Sequence, residues 1–151
     1  MRQQSKRFNA NEQGATLVEF SIAALVFLTV MFGVIEFGRA LWVHNALADA
    51  ARRGARYATF HSSSPEDQEK VKNVVVYGDE DGGETPMIPN LTIDNVTVNH
   101  TDWAVNGGTV TVSITEYQFQ FVIPLVGTTI TMPSYTTTLP GECIGFIPDP
   151  I

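Results

Sequence analysis

Residues 11–35 read NEQGATLVEFSIAALVFLTVMFGVI, the end of a polar leader running straight into an apolar stretch. From Ala15 to Ile35 there are 21 residues whose only charge is Glu19. As an α-helix this stretch is roughly 31 Å long, about one hydrocarbon thickness. Three assignments compete for it: a buried core helix, a cleaved secretory signal, or a retained membrane anchor. Little else in the chain is apolar enough to wrap a core helix on all sides. No small-x-small site follows directly, because Ile35-Glu36-Phe37-Gly38-Arg39 is bulky and charged. A retained anchor fits best.

Charge divides the chain in the same place. Residues 1–56 carry seven Arg/Lys against four acids, a balance of +3, and the remainder carries Lys70 and Lys72 against twelve acids, a balance of −10. A basic front and an acidic rear point to two environments. They exclude a nucleic-acid binder, which needs its basic face on the folded part. Arg2, Lys6 and Arg7 precede the apolar run with one opposing acid, which places the amino terminus in the cytoplasm and the rest outside it. Arg52, Arg53 and Arg56 oppose that rule, but they lie well past the membrane edge. Cys143 is the only cysteine, so no disulfide closes within one chain.

Glu19 lies about 6 Å along the helix from Ala15, close enough to the surface for part of its desolvation cost to be relieved by snorkelling. On that basis it is an interfacial carboxylate of no consequence. Gly14 suggests more. A glycine between a polar leader and an apolar helix disfavours helix at the joint and leaves its peptide bond extended and accessible to a protease. Cutting after Gly14 frees the α-amine of Ala15, which is largely protonated at neutral pH. Glu19 then stands fifth in the shortened chain. In a bundle of parallel copies it can pair with a neighbour's ammonium and set the stagger between subunits.

The residues 14–58, GATLVEFSIAALVFLTVMFGVIEFGRALWVHNALADAARRGARYA, resemble the TadE-like family. The resemblance rests on Gly14 with Val18-Glu19-Phe20, on Ile35-Glu36-Phe37-Gly38-Arg39, and on Ala50 to Ala58. Leu25 departs from it, since members often carry a proline after the glutamate, and a straighter helix is expected here. The resemblance implies a pilin-like minor subunit of a tight adherence (Flp pilus) system, single-pass in a bacterial inner membrane. It implies a prepilin peptidase acting between Gly14 and Ala15, with Glu19 and Phe20 serving assembly. Its implied partners are membrane lipid, other pilin-like subunits, the secretion ATPase and the inner-membrane platform. Neither a small-molecule substrate nor a cofactor is implied. A permanently anchored extracytoplasmic binding module with an intact leader stays open as the alternative.

No proline occurs between Ala15 and Ser64, so the helix is expected to run past the membrane to about residue 60. Ala46, Ala50, Gly54 and Ala58 recur at spacing four and form a ridge of small residues that admits another backbone. The ridge packs on the chain's own domain, or part of it touches neighbouring subunits in an assembly, or both hold at different heights along the helix. Asp49, Arg52, Arg53 and Arg56 share the opposite, solvated sector.

Residues 61–151 are expected to form an acidic α+β domain. Ser64 suits an N-cap and Pro65 the first helical position, followed by a stripe of Val71, Val74 and Val75 and a stop at Gly78. Helix is preferred over strand for Val74 to Tyr77. Residues 78–90 read as a loop, and Asp79, Asp81 and Glu84 lack the spacing of a calcium loop. From Leu91 the apolar period becomes two, with a slip near Asn95, a turn at Asn106-Gly107-Gly108 and a second slip before Tyr117. Pro124 and Gly127 mark a further turn before Ile130. The expected fold is thus α+β and pilin-like: a long membrane-plus-amphipathic helix, one extra helix, and a small antiparallel sheet with one wet face. No phosphate loop, nucleophile elbow or metal-ligand spacing appears, and His44, His61 and His100 read as solvated or capping residues. No catalytic residue is proposed.

Overall fold

The computed structural model describes residues 10–101, 108–122 and 129–140. Its first helix, α1, runs Ala10–Ala58. The chain clusters into two compact units, Met1–Gly38 and Arg39–Ile151, so the last twenty or so residues of α1 belong with the acidic part. In the first unit the apolar side chains are exposed around the helix, Phe20 at 71% among them. The Ser21 and Thr29 hydroxyls donate to the carbonyls of Leu17 and Leu25 at 2.7 and 2.8 Å, which leaves neither proton unmatched in an apolar medium.

The helix differs from expectation at its start. Residues 10–13 are already helical, so α1 passes through Gly14 without a break. One glycine costs a helix about 1 kcal/mol relative to alanine. That is too little to end a helix with good formers on both sides.

In the second unit, α1 buries Val43, Leu47, Ala50, Ala51, Ala55 and Ala58. Helix α2 (Pro65–Val76) follows with the cap its sequence promised: Ser64 Oγ accepts from Asp67 N at 3.2 Å, and Pro65 stands where its missing N–H leaves no bond unmade. The Asp67 carboxylate in turn accepts from Ser62 N at 3.1 Å and from the Ser62 hydroxyl. Those bonds, above all the hydroxyl, hold the Asp67 carboxyl below the usual range. Helix won over strand at Val74 and Val75, which are buried on one side of α2. Gly78, at φ +82, ends it by donating to Val74 O at 3.1 Å. Replacing Ser64 by Ala is expected to cost about 1 kcal/mol of unfolding free energy, read by denaturant titration in detergent. An unchanged midpoint would show the cap to be redundant.

Five short strands complete the unit: β1 (Val96–Thr101), β2 (Thr109–Ile114), β3 (Gln118–Gln120), β4 (Thr129–Thr131) and β5 (Tyr135–Pro140). They form two antiparallel sheets, ordered β1-β2-β5 and β3-β4. In the larger sheet Val98 pairs with Val112, and Ile114 with both Val96 and Tyr135, so the buried residues share one face. The other face is a ladder of hydroxyls, with Thr111 to Thr138 at 2.9 Å and Ser113 to Thr136 at 3.0 Å. One wet face and one dry face were expected; a separate two-stranded ribbon was not.

Leu91 and Ile93 were read as strand, and they are not. The Asn95 side-chain oxygen accepts from Thr92 N at 3.0 Å and from Thr92 Oγ1 at 2.9 Å, closing a 3-10 turn over Ile93–Asn95. A local side-chain bond has outcompeted the strand ladder. The second slip is real. Glu116 takes φ +57, and this single left-handed residue puts Tyr117 and Phe119 back on the buried side after Ile114. The turns expected at Asn106-Gly107 and at Pro124 and Gly127, most of the leader, and Cys143 lie outside the described residues.

Candidate functional site

The residues singled out in the sequence fall into two groups on α1. Gly14, Ala15, Glu19 and Phe20 are all exposed. Ala15 and Glu19 are four apart and so share one side of the helix. A Cβ built on Gly14 meets nothing within 4 Å. Among the described residues no hydrogen bond or ion pair reaches the Glu19 carboxylate.

The second group has an intrachain role. Ala50 and Ala58 are fully buried, Ala46 lies half-buried against the same core, and Gly54 faces α2 and β2. A Cβ on Gly54 falls inside the Val75 Cγ2 methyl and 3.5 Å from Val112 Cγ1. Of the two packings open to the ridge, the chain's own domain is the one found. Its small residues let α1 approach α2 and the sheet closely, and are spent on the core. Ala50, Gly54 and Ala58 are closed off in this way, while Ala46 stays partly exposed. The arginine sector divides: Arg52 reaches Asp49 at 3.0 Å on the surface, while Arg53 Nε turns to Val74 O at 3.4 Å near the end of α2.

The three histidines differ. His61 Nδ1 lies 2.8 Å from Tyr57 O at the end of α1, which is the capping role, and its ring stacks on Tyr57 at 4.0 Å. His44 is exposed, and its Nδ1 also lies 2.7 Å from the Tyr135 hydroxyl, which ties α1 to β5. His100 is half-buried, and desolvation lowers its pKa. The Tyr57 hydroxyl donates to the Glu80 carboxylate, and its pKa is pushed up to about 12, mainly by burial and then by Glu80. In the acidic loop Asp79 Oδ1 accepts from Asp81 N at 3.0 Å. Among the described residues no three His, Cys, Asp or Glu side chains converge as metal ligands.

One contact was missed in the sequence. Arg39 lies with its guanidinium carbon 4.3 Å from the centre of the Phe119 ring, and its Nη2 donates to Gln120 O. The arginine thereby fastens the β3–β4 ribbon to α1. Nothing in the spacing of Arg39 and Phe119, eighty residues apart, announces the pair.

The elements define an α+β, pilin-like protein with a long apolar N-terminal helix. Among the described residues Gly14–Ala58 is the one helix long and apolar enough to cross a membrane. The model of one family, described as TadE-like protein, matches residues 14–56. That match is the family resembled by the sequence, and it covers most of α1 and none of α2 or the strands. No curated protein and no solved structure matches the chain.

Proposed function

We propose that the protein is a non-enzymatic minor pilin or pseudopilin-like subunit for tight adherence pilus assembly, processed after Gly14 by a membrane prepilin peptidase. The amino terminus is cytoplasmic, α1 crosses the inner membrane once, and residues 61–151 lie outside the cytoplasm. Its partners are the peptidase, other pilin-like subunits and the inner-membrane platform. One observation carries this reading: the TadE-like match begins at Gly14, and the only charge in the apolar run, Glu19, is fifth after it. A solitary acid at that place has a use only if something cationic is brought to it. The amine of Ala15 on a neighbouring copy supplies the cation.

The helix running unbroken through Gly14 favours a second reading, a permanently anchored extracytoplasmic module that keeps its leader. A protease needs an extended substrate, so cleavage at Gly14 requires the first turns of α1 to unwind. Terminal sequencing of the protein from cells with a working prepilin peptidase separates the two. The expected first residue is Ala15; an intact leader would leave the anchored module standing.

A further inference from the structure

Residues 79–86 leave the end of α2 and come back to it. Gly78 N donates to Val74 O at 3.1 Å and Met87 N to Val76 O at 2.9 Å, so backbone bonds to α2 close the excursion at its base. It carries four acids, Asp79, Glu80, Asp81 and Glu84. Midway along, Asn73 Nδ2 donates to Glu80 O at 3.0 Å, and the Tyr57 hydroxyl donates to the Glu80 carboxylate.

The last fastening is a sulfur. Met87 Sδ accepts from Arg53 Nη2 at 3.5 Å, and it also lies against Gly78, where a Cβ would stand 2.6 Å from it. One thioether thus joins α1, the end of α2 and the return of the loop. Its side chain is nevertheless 54% exposed. Met132, by contrast, is partly buried against the core, and Met31 belongs to the apolar run. Oxidation converts an accessible thioether into a sulfoxide, which is polar where the sulfur was apolar.

The seat of the sulfur has no room for an added oxygen. Towards Arg53, a hydrogen bond of about 2.9 Å from the guanidinium to that oxygen fills most of the 3.5 Å between Nη2 and Sδ. Too little is left for the S–O bond. Towards Gly78 the sulfur already takes up the space of a side chain.

We propose that Met87 is an oxidation site: its thioether clasps residues 79–86 to Arg53 and Gly78, and its sulfoxide lets them go. The oxidant is a peroxide. The sulfur attacks one oxygen of hydrogen peroxide, an S–O bond forms as the O–O bond breaks, and the other oxygen leaves as water after a proton shift. Sulfur gives up two electrons and the peroxide takes them. Sulfoxide reductases working with a thiol reductant reverse the step, so the clasp closes again.

The test uses the full chain in detergent, with Cys143→Ser so that no thiol competes for hydrogen peroxide. Peptide mass spectrometry is expected to find one oxygen added at Met87 about tenfold faster than at Met132, following exposure. Equal rates at the two, or a Met87 that stays reduced, would overturn the site. Cleavage after Glu80 or Glu84 by a glutamate-specific protease reads the clasp. It should accelerate several-fold on oxidation and return to the parent rate after treatment with the reductases for both sulfoxide epimers. In Met87→Leu, which fills the seat with no oxidisable atom, peroxide should change nothing. Unchanged cleavage of protein fully oxidised at Met87 would overturn the clasp, as would an equal response to peroxide in Met87→Leu. Recovery on reduction decides the matter even if Met87→Leu fails to fold: cleavage that stays fast once Met87 is reduced again would lay the change elsewhere.

Discussion

Gly54→Leu is expected to destabilise the second unit by roughly 3 kcal/mol, toward the top of the range for overpacking. Against a typical domain stability of about 5–15 kcal/mol, that is a large loss. The glycine faces α2 and β2, and even a methyl group built there overlaps Val75 Cγ2. Gly54→Ala sets two opposed effects against each other. Helix propensity gains about 1 kcal/mol, and the collision with Val75 removes at least as much. Val75→Ala should relieve the collision at a cavity cost of about 2 kcal/mol. Gly54→Ala is therefore expected to destabilise the native background and to stabilise the Val75→Ala background, a coupling within the range for residues in contact. Gly38, where a Cβ meets nothing within 4 Å, is the control, and its alanine variant should be neutral or slightly more stable. Denaturant unfolding in detergent reads all of these variants, the double one included. Equal stability of Gly54→Leu and the parent would show that the helix can shift away at no cost, and that the ridge does not set the packing.

This ridge shows what kinds of structure were legible in the sequence. Spacing four among small residues defines a helix face, and it does so without knowledge of the partner. The partner, Val75, was legible as an apolar stripe on a second helix whose start Ser64 and Pro65 announce. Joining the two faces needed coordinates. Local rules therefore carried α1 beyond the membrane, α2, and the alternation of Val110, Val112 and Ile114. They failed at Leu91 and Ile93, where alternation promised a strand and the Asn95 side chain made a turn. They failed again at Arg39, whose contact with Phe119 no local pattern announced. Both failures come from a polar side chain finding a partner that period and hydropathy do not encode. Glu19 is the opposite case: its identity and place are plain in the sequence, and the fold of a single chain brings it no partner among the described residues.

Glu19→Ala should therefore leave insertion and folding of the chain intact and abolish assembly. Insertion improves slightly, since a carboxylate at mid-bilayer costs about 2.5–3.5 kcal/mol and less near the surface. Assembly suffers because the ammonium of Ala15, freed by processing, would enter the bundle with no counter-charge. Breaking a buried pair by removing one member costs about 3–5 kcal/mol. That is roughly two to four orders of magnitude in subunit association. Glu19→Gln keeps the shape without the charge and should fail in the same way, whereas Glu19→Asp should recover part of the activity. The pairing also predicts a non-additive signature. A Gly14→Val chain that keeps its leader lacks the ammonium, so adding Glu19→Ala to it should make assembly no worse than either change alone. Immunoblots of sheared surface fibres, with flotation to confirm insertion, read each variant. Wild-type fibre levels from Glu19→Ala would mean that the acid meets no amine in the fibre, and that subunit register is set elsewhere on α1.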